Sequence, residues 1–289
     1  MLADVVEHLA CPVCGEGLAL ETRALRCPAG HAFDIARQGY ANLLPGNARA
    51  GTADTAEMVR ARESFLGAGH FDLLTRTLGE RVAEGLARTG GGGRGPGENE
   101  VVLDAGAGTG HYLRAVLDRS PAAVGVALDI SKHAARRAGR AHPRIGVVVA
   151  DLWRPLPVRD ATVDAIVNVF APRNAPEFHR VLRPGGVLYT VTPSARHLGP
   201  LVRSLGLLTV DEQKSERMDA ALAGHFVLES RRRVETEVPL SRDDAATLVG
   251  MGPSAHHVTQ EDLHKRLADL PAPIPVPLSF VLSVFRGLP

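Results

Sequence analysis

The 289-residue sequence is poor in cysteine, tryptophan and other aromatic residues, with three cysteines, one tryptophan and 4% aromatics. No apolar run approaches the roughly 20 residues that a membrane-spanning helix needs. The first ten residues, MLADVVEHLA, carry two acids and lack the basic cluster of a signal peptide. We therefore expect no membrane association. A net charge of +1 gives no overall case for a nucleic-acid partner, although residues 136–144 and 231–233 are local basic clusters.

The three cysteines are concentrated near the N-terminus. Cys11 and Cys14 form a CPVC motif, and Cys27 and His31 follow in CPAGH. This ligand count and spacing predict a structural zinc site, because four protein ligands leave no coordination position open for catalysis. A redox CxxC is the alternative, but that motif normally opens a helix in a βαβ unit, and no such unit surrounds it here. Thiols kept for a metal indicate a reducing cytoplasm.

Composition and pattern divide the chain into three predicted parts. The tract TGGGGRGPGEN, residues 89–99, cannot support regular structure and predicts a surface loop. We predict a metal-binding module at 1–45, a helical connection with the Gly-rich loop at 46–98 and an α/β domain at 99–289. In the connection, Asp54 or Thr55 is positioned to cap a first helix.

The α/β prediction rests on short Val/Leu/Ile runs separated by Ala/Arg-rich amphipathic segments. This alternation is typical of parallel strands with crossover helices in a doubly wound sheet. The runs lie at 101–103, 124–128, 146–149, 165–169 and 187–191. Near the C-terminus, FVLESRRRVETEVPL and LSFVLSVFRGL predict two further strands that form an antiparallel hairpin at the sheet edge.

The segment VVLDAGAGTGHY predicts a ligand site after the first of these strands. Asp104 ends the strand, and Gly106, Gly108 and Gly110 form a loop without side chains that a ligand can approach closely. A dinucleotide site has GxGxxG spacing, whereas DxGxGxG resembles motif I of the class I S-adenosylmethionine (SAM) methyltransferases. Asp129 ends the next strand, where a carboxylate can accept hydrogen bonds from both ribose hydroxyls.

Further segments extend the resemblance to methyltransferases. Asp151 ends the third strand, where such enzymes place the residue that meets the adenine, and the RPGG turn of RVLRPGGVLYTVTP precedes their fifth strand. The resemblance implies a Rossmann-like, mostly parallel seven-stranded sheet. Because open α/β sheets bind ligands at the carboxyl ends of their strands, these loops are expected to converge on one crevice.

A narrower resemblance covers essentially the whole chain. The segments that carry this resemblance are the zinc knuckle, FDIARQGYANLLP, AEMVRARESFLGAGHFDLL, motif I and NVFAPRN. With them the chain resembles the large-subunit ribosomal RNA guanine-N1 methyltransferases of the RlmA type, in particular the macrolide-resistance branch. That resemblance implies methylation of N1 of a guanine in a domain II hairpin of 23S rRNA at the peptide exit tunnel. It also implies resistance to tylosin or mycinamicin and an RNA-recognition role for the zinc domain.

The family resemblance also implies roles for individual residues. Cys11, Cys14, Cys27 and His31 match the zinc ligands. Phe71, the Gly108-Thr109 pair and His197 match positions at the SAM site. Phe71 replaces the Tyr of some relatives, which puts a hydroxyl contact there in doubt. A homodimer that clasps the RNA between two zinc domains is a further possibility for which no sequence feature speaks.

The acceptor side is predicted from the loop after the fourth strand. Asn168 and Phe170 are the candidates for orienting the guanine, with Phe170 stacking on an extruded base. Guanine N1 carries a proton that a base must remove. No residue is assigned as this base: His70 is a candidate without further support, and Asp104 already belongs to motif I. Arg173, Arg180 and Arg183 are candidates for phosphate contacts.

Three other functions compete with an rRNA methyltransferase. A small-molecule SAM methyltransferase of antibiotic or quinone biosynthesis would not need the N-terminal knuckle. An NAD-dependent oxidoreductase would need GxGxxG spacing. A non-catalytic RNA-binding zinc protein would have no use for the Gly106–Gly110 loop together with Asp129.

Overall fold

The computed structural model describes residues 1–45, 53–89, 99–207, 214–252 and 259–289 of the chain. Most of the predicted Gly-rich loop, residues 90–98, lies outside the described residues. The N-terminal segment begins with two short 3-10 turns, Leu2–Asp4 and Val6–His8. An antiparallel sheet follows, in the order β1 (Ala19–Glu21), β2 (Ala24–Arg26) and β3 (Ala32–Asp34).

Two helices connect this segment to the rest of the chain: α1 (Ala56–Gly67) and α2 (Asp72–Thr89). The Thr55 hydroxyl accepts a hydrogen bond from the Met58 amide at 3.2 Å, so Thr55, one of the two predicted caps, begins α1. Phe65 and Phe71 and the α2 residues Leu74 and Leu78 are buried in the core of the large sheet. The predicted connection is therefore part of the packing of the α/β domain.

The rest of the chain alternates strands and helices as predicted. In chain order the elements are β5 (Glu100–Ala105), α3 (His111–Leu117), β6 (Ala123–Asp129), α4 (Lys132–Ala138), β7 (Ile145–Val149), β8 (Val163–Val169), α5 (Ala175–Val181), β9 (Leu182–Pro193), α6 (Gly199–Leu205), α7 (Lys214–Leu222), β10 (Phe226–Leu240), α8 (Arg242–Gly250), α9 (Gln260–Ala268) and β11 (Ile274–Gly287). β10 and β11 pair antiparallel, which confirms the predicted hairpin.

Eight of the described strands form one large sheet in the order β10-β11-β9-β8-β5-β6-β7-β4. The seven strands β5 to β11 of the α/β domain are those predicted, and the central pairs are parallel. An eighth strand, β4 (Tyr40–Asn42), comes from the N-terminal segment and pairs parallel with β7. The proposed boundary at residue 45 therefore separates a strand from its own sheet partner.

Both faces of this sheet are covered, which explains the uninterrupted apolar runs of its strands. Helices α2, α3, α8 and α9 contribute to the core on one face. The other face packs against α5, α7 and the N-terminal segment, whose Leu25 and Cys27 lie in the same apolar cluster as Val101 and Leu103 of β5. The cysteine-containing module thus shares an apolar core with the strands on this face of the sheet.

Strand β9 differs from its prediction at its start. The RPGG segment lies inside the strand rather than before it, because the pairing with β8 shifts between Val163 and Ala165 and absorbs the extra residues there. Gly185 in this segment has a φ of +82°. No helix in the described ranges combines the length and the apolarity that a bilayer crossing requires.

Candidate metal and cofactor sites

The four predicted metal ligands come together in space. The ligand atoms of Cys11, Cys14, Cys27 and His31 all lie within 4.8 Å of one another. Cys14 Sγ lies 3.7 Å from Cys27 Sγ, and His31 Nδ1 lies 3.3 Å from Cys27 Sγ and 3.6 Å from Cys11 Sγ. A tetrahedral zinc ion with Zn–S bonds of about 2.3 Å requires sulfur atoms about 3.8 Å apart. The spacing therefore fits a zinc ion bound through Nδ1 of His31.

Two tight turns hold these ligands. The Gly15 amide donates to Cys11 O at 2.9 Å, and the Gly30 amide donates to Cys27 O at 3.0 Å. Both glycines have positive φ, +78° and +88°, a conformation that costs other residues free energy. Cys11 and Cys27 are buried and Cys14 is exposed. The turns thus orient three sulfur atoms and one imidazole toward a common point.

The glycine loop after β5 is shaped for close approach of a ligand. Gly106, Gly108 and Gly110 all have positive φ, +89°, +54° and +76°. A Cβ on Gly106 would lie 2.3 Å from the Cβ of Ala171, and a Cβ on Gly110 would lie 3.1 Å from the Cα of Ala138. The loop is therefore sterically restricted to glycine at Gly106, and Thr109 beside it is buried.

Asp129 lies directly against this loop. Its Oδ2 accepts a hydrogen bond from the Gly108 amide and its Oδ1 accepts one from the Ser131 amide, both at 2.8 Å. Burial raises the pKa of Asp129, and these two amide hydrogen bonds oppose the shift. Each carboxylate oxygen keeps a second lone pair. Asp129 can therefore accept ribose hydroxyls while it holds the loop.

Asp104 lies beneath the same loop and behaves differently. It is 1% exposed, and its Oδ2 has no hydrogen-bond partner among the described residues. Burial, with the neighbouring Asp129 adding to it, raises the pKa of Asp104 to about 8. Asp104 is therefore largely protonated at neutral pH, which reduces the repulsion between the two buried carboxyls.

Asp151, the predicted adenine contact, follows β7. It accepts a hydrogen bond from the Trp153 amide at 3.0 Å and faces Arg154 at 3.6 Å. This is the turn-capping geometry of an aspartate, and an adenine contact there remains a prediction. The Trp153 side chain is 70% exposed.

The Phe71 and His197 rings lie 6.2 Å apart between centroids, and both pack on Phe280, a residue that no sequence pattern marked. The Phe280 ring on β11 lies 5.0 Å from Phe71, 4.6 Å from His197 and 5.6 Å from Phe170, measured between ring centroids. The Ser279 amide donates to His197 Nδ1 at 3.2 Å. Burial lowers the pKa of His197 to about 4, so its imidazole is neutral. Phe280 read as an ordinary strand residue, and only the fold brings it to this position.

The acceptor-side residues lie at the end of β8. The Asn168 side chain is fully buried, and its Nδ2 donates to Ala105 O and to Pro172 O, both at 2.9 Å. It therefore ties the loop after β8 to the end of β5. Phe170 is 43% exposed and has a φ of +54°, a strained conformation for a bulky residue. The loop presents this ring outward.

Several basic and histidine predictions have other partners in the structure. Arg180 pairs with Glu177 and Asp160. His70 Nε2 lies 3.4 Å from Asp244 Oδ1, and the His70 ring packs on Phe65. Arg180 is thus committed to structural contacts, whereas the Nε of Arg173, in the loop after β8, has no hydrogen-bond partner among the described residues.

Comparison with known proteins places the chain in a family. Residues 9–51 match the family model "RlmA, N-terminal", a zinc ribbon, and residues 102–186 match a methyltransferase domain. A Micromonospora griseorubida protein with the provisional name 23S rRNA (guanine-N1)-methyltransferase is 52% identical over 296 residues. The 23S rRNA (guanine(748)-N1)-methyltransferase of Streptomyces fradiae is 46% identical over 289 residues. Both alignments cover 100% of each chain.

A more distant relative, the Bacillus subtilis protein YxjB, also carries a provisional 23S rRNA (guanine-N1)-methyltransferase name. It is 33% identical over 194 residues, which cover 65% of each chain. The two full-length alignments include the zinc ribbon, the glycine loop and the C-terminal hairpin. The chain is a member of the 23S rRNA (guanine-N1)-methyltransferase family.

Proposed function

We propose that this enzyme transfers a methyl group from SAM to N1 of a guanine in a domain II hairpin of 23S rRNA at the peptide exit tunnel, with a structural zinc ion in its N-terminal module. The observation that carries the proposal is the full-length match to the Streptomyces fradiae protein, whose name specifies N1 of guanine 748. A consequence would be resistance to macrolides of the tylosin or mycinamicin type. An rRNA substrate would place the enzyme in the cytoplasm.

The proposed mechanism is mainly positioning. SAM supplies a methyl group on a sulfonium, already activated for in-line attack. Asp129 would hold the ribose, the glycine loop would receive the methionine moiety, and Phe71 and His197 would border the cofactor. Asn168 would keep the acceptor loop at a constant distance from the cofactor loop, because it bonds to both. A neutral His197 would add no positive charge to a site that receives a cationic cofactor.

The test is transfer of labelled methyl from SAM to 23S rRNA from an unmodified host, followed by mass mapping of the product. We expect 1-methylguanine in domain II. Asp129→Ala should raise the KM for SAM by about 10- to 100-fold, because it removes charged hydrogen bonds to the ribose. Asp118→Ala, at an exposed aspartate in the same domain, should leave the KM unchanged.

A different outcome would separate the competing functions. If SAM binds but the RNA stays unlabelled, the small-molecule methyltransferase becomes the better reading, and antibiotic or quinone precursors are the acceptors to screen. Label on a guanine outside domain II would support guanine methylation but reject domain II as the site of modification.

We further propose that Trp153 and Phe170 are stacking surfaces for the RNA. Both rings are exposed, and they lie in the loops that follow β7 and β8 at the carboxyl edge of the sheet. Trp153 is the single tryptophan of the chain, so its fluorescence reports on this position alone. We expect quenching when a domain II hairpin is titrated in, because nucleobases stack on exposed indoles.

A variant tests the same surface by kinetics. Trp153→Ala should raise the KM for RNA by about 5- to 100-fold, the loss of one stacked base, without changing SAM affinity. Val227→Ala is the control, since Val227 is an exposed apolar residue on the distant edge strand β10. Unchanged fluorescence and unchanged KM would place the RNA elsewhere.

A further inference from the structure

An arginine outside the predicted site lies over the cofactor loop. Arg62, on α1, has its Nη1 3.5 Å and its Cδ 3.6 Å from the position that a Cβ on Gly108 would take. Its Nη2 donates to Met251 O at 2.9 Å. The side chain is 25% exposed. The guanidinium is thus held at the loop by a carbonyl on one side and remains partly open to solvent.

The immediate surroundings of Arg62 are acidic. Its guanidinium forms an ion pair with Asp54. The Asp54 backbone carbonyl accepts the Ser131 hydroxyl at 2.8 Å, and Ser131 in turn donates its amide to Asp129. The residues before α1 are therefore tied to the end of β6. Both Asp54 and Arg62 are close enough to Asp129 to act on its pKa, in opposite directions.

This arrangement has a charge pattern that SAM complements. SAM carries a sulfonium, an α-ammonium group and a ribose diol, and protein carboxylates attract all three. It also carries one α-carboxylate, which protein carboxylates repel. Asp54 and Asp129 supply the acidic surroundings. A carboxylate at this loop needs a cation, and a guanidinium binds it with two parallel hydrogen bonds.

We propose that Arg62 binds the α-carboxylate of SAM, exchanging its ion pair with Asp54 for one with the cofactor. The inference rests on the proposed use of SAM and adds a specific ligand for its amino-acid end. Arg62 is placed for this because its side chain lies against Gly108, whose missing side chain leaves the loop backbone accessible from that side. Asp54 holds the arginine when no cofactor is bound.

The test compares two ligands that differ by one group: SAM and decarboxylated SAM, which keeps the sulfonium, the amine and the adenosine. Binding is measured by calorimetry. The wild-type protein should bind SAM more tightly than decarboxylated SAM. Arg62→Ala should weaken the affinity for SAM by about 10- to 100-fold and change the affinity for decarboxylated SAM little. Retained binding of decarboxylated SAM also shows that the variant is folded. Arg60→Ala, at an exposed arginine two residues earlier on α1 that pairs with Glu57, should behave as wild type.

Asp54→Asn distinguishes two roles of Arg62: binding of the SAM carboxylate, and holding α1 in place through the ion pair with Asp54. If Arg62 binds the carboxylate itself, this variant keeps the preference for SAM. Loss of that preference in Asp54→Asn, or an equal loss of both ligands in Arg62→Ala, would overturn the inference and assign the pair to holding α1 in place. Failure of the wild-type protein to bind either ligand would instead reject the proposed cofactor.

Discussion

Gly106→Ala should lose both stability and cofactor binding. The new Cβ would lie 2.3 Å from the Cβ of Ala171, and the φ of +89° disfavours any side chain. Left-handed backbone costs about 1–2 kcal/mol and overpacking adds about 1–3 kcal/mol. We expect a loss of about 2–5 kcal/mol in the free energy of unfolding, measured by urea denaturation. The loop and the segment at Ala171 must also move apart, which should abolish detectable SAM binding.

Gly185→Ala is a matched control for the first substitution. Gly185 has nearly the same φ, +82°, but nothing lies within 4 Å of the position of its Cβ. It should show only the backbone cost of about 1–2 kcal/mol and keep normal SAM affinity. If both variants lose the same stability and both bind SAM, the contact between Gly106 and Ala171 has no role in the site.

Removal of the metal should have the other large effect. Structural zinc contributes apparent binding free energies of about 10–16 kcal/mol in small zinc domains, where binding and folding are coupled. Cys11 and Cys27 share an apolar cluster with β5 residues, so loss of zinc should expose that face of the sheet as well. We expect one zinc per chain by elemental analysis, and a strong fall in the thermal midpoint on chelation or in Cys27→Ser.

The control for the metal prediction is a histidine, because all three cysteines belong to the cluster. His31→Ala should lose the zinc, whereas His133→Ala, at an exposed histidine on α4, should keep it. The alternative redox reading makes the opposite prediction: a protein purified without metal whose thermal midpoint responds to oxidant and not to chelator. That result would remove the zinc from the proposal.

Sequence spacing was sufficient for the features that are local along the chain. The CPVC and CPAGH segments each contain their own tight turn, and the ligand atoms of the four predicted residues meet within 4.8 Å. The glycine loop lies between a strand and a helix that both follow from local pattern, and Asp129 reaches it because parallel neighbours end at the same edge. The RPGG segment was the local exception, since a register shift within the sheet absorbed it.

Contacts between distant segments were decided by the tertiary structure. β4 gives no signal of its membership in the large sheet, because three residues carry too little pattern and the partner β7 lies about a hundred residues away. Phe280 becomes the centre of the aromatic group only when β11 folds back beside β9.

The position of the charged residue Arg62 also depended on the tertiary structure. Short spacing and a simple strand order were enough to predict the glycine loop, the acid at the next strand end and the cluster of three cysteines and one histidine. The sequence could not place Arg62, a polar residue on an amphipathic helix like many others in the chain. Only the packing of α1 across the carboxyl edge of the sheet brings its guanidinium to Gly108, since packing direction depends on contacts far apart in the sequence.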